Sequence, residues 1–391
     1  MKRLNEKLEL LKNNIKNRKV RIMIIGLGSV GSYLLDYLLS YGDEDMEIFV
    51  AGRNREKIIC NINIIKVASL IRRQNRSNIT IISDVDLNDI NSIKTCLENY
   101  NPDIIVNSSR AYTGLKYGSI SWKNIRAYGI WTPLAIKYIK NIMYAYEETI
   151  SNAIVINTSY SDAVIPWMKS AGMDFPDFGS GNINHLIPRI KFALSEMFGI
   201  KDYWNIDITY AVSHFHDVVI SKEGSLENVT QMIETRYKGE HLKPDMDRLF
   251  KMCMIPMPVD AKRNMMNASS DFEIIKAVLE AVRNGKSTKL HCPGVFGEIG
   301  GYPVIVDGSG DNVKSYIYEK YFTLEEMREK NRESIYLDGI EDIKEGTLYY
   351  TNELVKKTKK AFGVTLPKTV QFCEIEEVAG FIIKEIIRKN M

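Results

Sequence analysis

The chain has 391 residues, 45% hydrophobic and 26% charged, with 52 basic against 49 acidic side chains and a formal charge of +3. That length accommodates two domains with cores of their own, and the composition excludes a disordered or low-complexity chain. The balanced, well-mixed charge argues against a nucleic-acid or membrane footprint and leaves a small molecule as the expected partner. The five cysteines (Cys60, Cys96, Cys253, Cys292, Cys373) lack CxxC or CxxH spacing, which predicts reduced thiols in a cytoplasmic protein, with neither a disulfide framework nor a zinc signature.

In chain order, residues 1–19 place Leu4, Leu8, Leu11 and Ile15 at helical spacing, predicting an amphipathic helix packed on the body or on a second subunit. The segment lacks the apolar centre of a signal peptide, and no apolar run approaches the roughly 18 residues of a membrane span. From Val20 the pattern alternates: "VRIMIIG" reads as a buried strand, "SVGSYLLDYLLSYG" as a helix and "MEIFVAG" as a second strand. "NITIIS" is a third strand, "DLNDINSIKTCLENY" a helix and "DIIVNSS" a fourth strand. A long helix over about residues 122–146 then leads to "AIVINTS", the fifth strand.

Residues 20–158 are therefore expected to form a dinucleotide-binding domain with a Rossmann-type, doubly wound parallel sheet. Residues 159–345 follow as a mixed α+β substrate domain, in which "WNIDITYAVSHFHDVVIS" reads as a strand pair and residues 226–252 and 269–284 as helices. Residues 346–391 are expected to be a helical extension. No internal repeat is present.

The sharpest motif is Gly26-x-Gly28-x-x-Gly31, lying between the first strand and its helix, the context that gives GxGxxG meaning. Gly26 suits a tight turn, Gly28 a close approach of backbone to pyrophosphate, and Gly31 helix-on-strand packing, while the amides around Ser29 and Val30 open the helix toward phosphate. The second strand ends "VAGRNREK", without the acid that an NAD site uses on its ribose. Arg53, with Asn54 and Arg55 beside it, can instead meet a 2′-phosphate, so NADP is expected over NAD. Asn107 and Ser108, at the end of the fourth strand, complete the expected cofactor set.

Several further stretches together resemble the lactate/malate dehydrogenase superfamily over residues 20–340: "NSSRAYTG" through "NIRAYGI", "IVINTSYSDAVIPWMKSAG", "FGSGNINHLIPRIKFAL", "ITYAVSHFHD" and "GGYPVIVDGSGD". The resemblance implies an NADP-dependent oxidoreductase that moves hydride to or from a carbonyl or alcohol carbon of a small metabolite, in a homodimer or homotetramer. It implies His214 as the proton shuttle, Asn157 (or its neighbour Thr158) as a contact to nicotinamide and substrate, and Arg110 or Arg189 as substrate contacts. An imidazole suits the shuttle because its pKa lies near working pH. Three departures stand out. No acid stands near His185, where the family carries the carboxylate partner of its histidine; Pro188 occupies the position of the substrate arginine; and Ser119 that of the loop arginine, with Arg110 and Lys116 the nearby cations. These departures imply a substrate larger or less acidic than lactate or malate, or a subunit that binds nucleotide without turnover.

"VAGRNREK" and "SDVDLNDINSIKTCLENYNPDIIVNSS" also resemble the first domain of saccharopine dehydrogenase-like proteins, implying opine-type carbon–nitrogen chemistry as the alternative, with Asp84 and Asp86 near the adenine. The pair His214 and His216 would share a face if it lay on a strand, but nothing supplies further metal ligands, and no metal is expected. Tyr112 and Lys116 match a YxxxK pattern but stand in an expected loop.

Overall fold

A computed structural model describes residues 3–41, 46–72, 77–112, 114–181 and 183–390, apart from the side chains of residues 115, 116 and 119. Helix α1 (Leu4–Asn14) precedes a run of alternating elements: β1 (Val20–Ile25), α2 (Ser29–Tyr41), β2 (Met46–Ala51), α3 (Arg55–Arg72), β3 (Asn78–Ile82), α4 (Ile90–Tyr100) and β4 (Ile104–Asn107). Helices α5 (Gly114–Asn124) and α6 (Thr132–Glu147) lead to β5 (Ile154–Asn157), α7 (Ser161–Ser170) and the short β6 (Phe178–Gly179). These strands form one sheet in the order β3-β2-β1-β4-β5-β6, all parallel. This is the doubly wound arrangement, whose order reverses between β1 and β4 and opens a crevice at the carboxyl ends of those strands.

The strands read as continuous apolar runs because both faces are covered. Ile22, Ile24, Ile48, Val50 and Val106 face a core shared with α2 and α3, while Met23, Phe49, Ile105 and Val155 face one shared with α4 and α6. Helix α1 lies on the body, with Leu4, Leu8 and Leu11 buried. Lys7, also buried there, spans to Asp177 (Nζ to Oδ1 3.0 Å, to Oδ2 2.8 Å), whose Oδ2 also accepts the Val155 N–H at 2.9 Å.

The second half comprises α8 (Ile183–Phe198), β7 (Ile206–Ala211), α9 (His214–Glu223), β8 (Met232–Tyr237), β9 (Glu240–His241), α10 (Met246–Met252) and α11 (Asn264–Asn284). Strands β10 (Ser287–Pro293), β11 (Gly301–Asp307) and β12 (Lys314–Ile317) form an antiparallel sheet, followed by α12 (Leu324–Leu337). The chain closes with β13 (Ile340–Lys344), β14 (Thr347–Tyr350), α13 (Asn352–Phe362), β15 (Thr369–Gln371) and α14 (Ile375–Phe381), the last running on as a π-type turn over Ile382–Ile387.

Four expectations need correction. The helix expected over residues 122–146 is two helices: α5 ends at Asn124, Arg126 takes a left-handed φ of 53°, and Pro133 opens the first turn of α6, where its missing N–H costs nothing. The stretch after β7 is helix α9 and not a second strand, so His214 and His216 do not share a strand face. Within 226–252 only α10 is helical. Its first part is the hairpin β8–β9, turned by Lys238 and Gly239 at φ 51° and 84°, the two left-handed residues of a tight hairpin turn. Finally, the tail past residue 346 is helical but also contributes β14 and β15 to a three-stranded sheet with β13, and Leu348, Tyr350 and Val370 are buried in the core that holds α6.

Candidate active site

At the switch point the glycine loop bounds a cavity of about 1060 Å³. Gly26 leaves β1 at φ 91°, donates its N–H to the Ala51 carbonyl at 2.9 Å, and accepts at its carbonyl from Ser108 Oγ at 2.6 Å. A Cβ on Gly31 would lie 2.3 Å from that carbonyl, so only glycine lets α2 sit this close to β1. A Cβ on Gly28 would meet nothing within 4 Å: here the backbone faces open cavity. Gly26, Gly28, Ser29, Val30, Arg53, Asn54 and Ser108 line it, whereas Gly31 and Asn107 stand behind the wall. Asn264, at the start of α11, donates to Ser29 Oγ at 2.5 Å and ties the second half of the chain to this loop. Asn54 Oδ1 caps α3 by accepting the Lys57 N–H at 2.9 Å, leaving Arg53 exposed at the rim with no acid at the end of β2. An open glycine turn under a helix N-terminus fits the pyrophosphate of a dinucleotide. Asp84 and Asp86 do not line the cavity; Val85 and Leu87 do.

His214 opens α9 on the opposite wall. Its Nδ1 lies 2.9 Å from Asp338 Oδ2, and its backbone N–H donates to Asp162 Oδ1 at 3.0 Å. The same Asp338 Oδ2 accepts from Tyr160 Oη at 2.7 Å, and its Oδ1 accepts the Tyr128 N–H at 2.7 Å. The rings of Tyr128 and Tyr160 stand edge-on to the imidazole at 4.7 and 5.0 Å, clamping its plane. With Nδ1 engaged by a carboxylate, Nε2 is the nitrogen left to exchange a proton in the cavity. Burial pushes the imidazolium down, but the charge and hydrogen bond of Asp338, aided by Asp162 and Asp217, outweigh it and hold His214 above its ordinary pKa.

Register between α9 and α12 sets this pair. Ser213 Oγ donates to the Asn331 carbonyl at 2.8 Å, His216 Nδ1 lies 2.7 Å from Ser334 Oγ, and Asp338 follows at the end of the same helix. Residues 331, 334 and 338 recur at spacings of three and four and so share one face of α12. His216, with Nε2 also 3.1 Å from the Leu226 carbonyl, is thus a buried strut between helices. Among the described residues no group of histidine, cysteine and acid side chains could hold a metal. Gly129 seals the junction: its N–H donates to the Asp338 carbonyl at 2.8 Å, and a Cβ there would lie 2.6 Å from that oxygen.

The other expected site residues separate. Arg110 lines the cavity, with Nη1 3.5 Å from Tyr117 Oη and Nη2 3.5 Å from the Thr158 carbonyl. Arg189 does not line it: the side chain is buried, Nη1 donating to the Cys253 carbonyl at 3.0 Å and Nη2 meeting Met257 Sδ at 3.1 Å. Asn157 is also withdrawn. Its Nδ2 donates to the Ser159 carbonyl at 3.0 Å and Ser161 Oγ at 3.1 Å, its Oδ1 accepts from Asn107 Nδ2 at 3.0 Å, and Thr158, Ser159 and Tyr160 line the wall in its place. Parallel neighbours in register on β4 and β5, the two asparagines satisfy each other, a pairing that neither position alone announces. Tyr112 lines the cavity, and Lys116 falls in α5 with its side chain outside the described residues.

Asp338, Asp217 and Arg263 escaped the sequence reading. Asp338 is 124 residues from His214 and looks like an ordinary polar residue ending a charged helix before a glycine. Asp217 stands three residues after His214 and was legible as its neighbour on a helix, once that stretch is read as helix. Burial drives its carboxyl up to about 7, against the pull of His214 and Arg189. His185 lines the same wall, and burial, with Arg263 and Arg189 nearby, pushes it down to about 3, so that it is neutral.

No family model and no curated protein matches the sequence. Solved structures match the fold. Malate dehydrogenase from Cryptosporidium parvum superposes with a TM-score of 0.52 at 14% identity, over 82% of this chain and 98% of that one. Malate dehydrogenase from Aeropyrum pernix gives 0.52 at 14% identity, over 81% and 96%. Lactate dehydrogenase from Cryptosporidium parvum, in complex with lactic acid and nicotinamide adenine dinucleotide, gives 0.51 at 12% identity, over 82% and 96%. The chain therefore has an α/β Rossmann-type fold of the kind seen in malate and lactate dehydrogenases.

Proposed function

We propose that this protein is an NADP-linked oxidoreductase acting on the carbonyl or alcohol carbon of a small metabolite, with His214 as its proton shuttle. The observation that carries the reading is the position of His214, which lines the same cavity as the glycine loop while Asp338 holds its Nδ1 and, among the described residues, Nε2 has no hydrogen-bond partner. The fold points the same way, since the lactate dehydrogenase of similar fold was solved with lactic acid and the dinucleotide. Arg53, with no acid beside it at the end of β2, favours the 2′-phosphate of NADP.

The nicotinamide, when bound, supplies or accepts the hydride. In the oxidative direction the neutral imidazole accepts the hydroxyl proton at Nε2, and the resulting cation is balanced by Asp338 through Nδ1–H. In the reductive direction the imidazolium gives that proton to the carbonyl oxygen. Tyr128 and Tyr160 keep the ring from rotating, and Ser29 to Val30 present amides toward the phosphates. The test is a titration with NADPH and NADH, followed by a screen of oxo and hydroxy compounds for substrate-dependent change in nicotinamide absorbance. Preference for NADPH with turnover of at least one compound is expected; failure of both dinucleotides to bind would overturn the reading.

A further inference from the structure

Most polar groups around His214 are consumed internally: Asp338 by three donors, Tyr160 by Asp338, Ser213 by Asn331. Among the described residues of the cavity wall, Asp217, His185 and Arg263 stand apart. Asp217 is 7% exposed, and neither of its side-chain oxygens accepts a hydrogen bond among the described residues; Oδ1 is wholly buried without a partner. His185 Nε2 is likewise buried without a partner. Arg263 ends the turn Ala261–Arg263 just before α11, and among the described residues its guanidinium meets no carboxylate within 4.0 Å.

Resting on the hydride-transfer reading above, we infer that the substrate is an amino-acid-like zwitterion, its carboxylate held by Arg263 and its ammonium by Asp217 while His214 handles the hydroxyl or carbonyl proton. A buried carboxylate without a partner is costly unless a ligand brings the complementary charge, and a part-exposed arginine on the same cavity wall is open to a ligand's carboxylate. Arg263 can grip a carboxylate through two parallel N–H donors, whereas Arg189, behind the wall, already serves the Cys253 carbonyl, and Arg110, also lining the cavity, lies 3.5 Å from Tyr117 Oη and from the Thr158 carbonyl. Asp217, one helical turn along α9 from His214, lies on the same side of the helix and so beside the reacting atoms.

The two charges discriminate by subtraction. A neutral ketone leaves both unpaired, a simple oxo acid leaves Asp217 unpaired, an amino ketone leaves Arg263 unpaired, and the zwitterion satisfies both. The neutral His185 adds a hydrogen-bonding nitrogen for a further polar atom of the same ligand.

The experiment is calorimetric titration of the full chain, loaded with NADPH so that alcohol probes bind without reacting. Three probes share one hydroxyl-bearing carbon: threonine carries both charges, 3-hydroxybutyrate the carboxylate alone and 1-amino-2-propanol the ammonium alone. Threonine should bind about tenfold or more tightly than either single-charge probe. Asp217→Asn should erase its advantage over 3-hydroxybutyrate and Arg263→Gln its advantage over 1-amino-2-propanol, with NADPH affinity in both variants, which reports folding, within a few-fold of the parent. Equal binding of threonine and 3-hydroxybutyrate, tightest binding of the amine, or no binding of threonine at millimolar concentration to NADPH-loaded protein would overturn the inference and leave the hydride reading standing. Failure to bind NADPH would bring down both.

Discussion

Asp338 meets His214 across 124 residues of chain, its Oδ2 2.9 Å from the imidazole Nδ1, with Tyr160 Oη on the same oxygen at 2.7 Å. It is a positioning residue, since it touches the imidazole and not the cavity. Asp338→Asn should lower kcat about 10²- to 10⁴-fold, by losing both the tautomer and the counter-charge of the imidazolium. NADPH affinity should stay within a few-fold. A variant retaining parental turnover would separate Asp338 from the chemistry.

The same pair predicts a titration. The sequence has five histidines. Burial pushes His185 and His291 down to about 3 and also lowers His216, while Asp338, with Asp162 and Asp217, outweighs burial and raises His214. By NMR, His214 should therefore titrate above the ordinary ~6.5 of an imidazole, and Asp338→Asn should bring it down. Because the folded pKa is the higher one, the stability His214 contributes is complete below ~6.5 and is lost as pH rises through the folded value. Carbonyl reduction, which needs the imidazolium, should decline over that rise, and alcohol oxidation should increase.

Much of the fold was legible in the sequence because its strands are long apolar runs separated by amphipathic helices and glycine turns, whereas the register of β1 with β2 and β4 was not, since apolar runs buried on both faces carry no alternation to fix it. The helix break was legible only in part: Pro133 inside the expected helix marks a boundary, but the turn at Arg126 accompanies a distant contact, Gly129 against the Asp338 carbonyl. The strand misread at His214 has a local cause. "SHFHDVVIS" holds the β-branched run Val218, Val219 and Ile220, which favours a strand, yet Ser213 engages Asn331 and the chain turns into α9 against α12. The glycine loop was legible for the reason that it is local. Asp338 and Arg263 were not, because their roles depend on which elements of the fold converge around His214, and Asp217 was hidden by reading its helix as a strand.

Arg53 carries the expected preference for a 2′-phosphate. Arg53→Gln should weaken NADPH binding about 10- to 100-fold, the loss of ~1.5–3 kcal/mol expected for a charge-assisted hydrogen bond, and should leave NADH nearly unchanged. Fluorescence titration of both dinucleotides on parent and variant is sufficient. Equal losses for the two would place Arg53 on a shared phosphate and remove the basis for NADP.

Lys7 and Asp177 anchor α1 to the sheet through a fully buried ion pair, with side-chain exposures of 0% and 3%. Lys7→Met leaves a buried carboxylate uncompensated and should cost about 3–5 kcal/mol in urea unfolding. Changing both residues together, Lys7→Met with Asp177→Leu, should recover much of that loss, apart from the hydrogen bond from the Val155 N–H. Equal destabilisation by the single and double variants would mean that packing of α1, and not charge, sets the cost.

The central claim is that His214 handles the proton of a nicotinamide-linked redox step, and the direct measurement compares the parent with His214→Gln for NADPH binding and for substrate-dependent nicotinamide turnover. The account predicts NADPH affinity within a few-fold in both proteins and turnover about 10²-fold or more lower in the variant. Parental turnover by His214→Gln would contradict it.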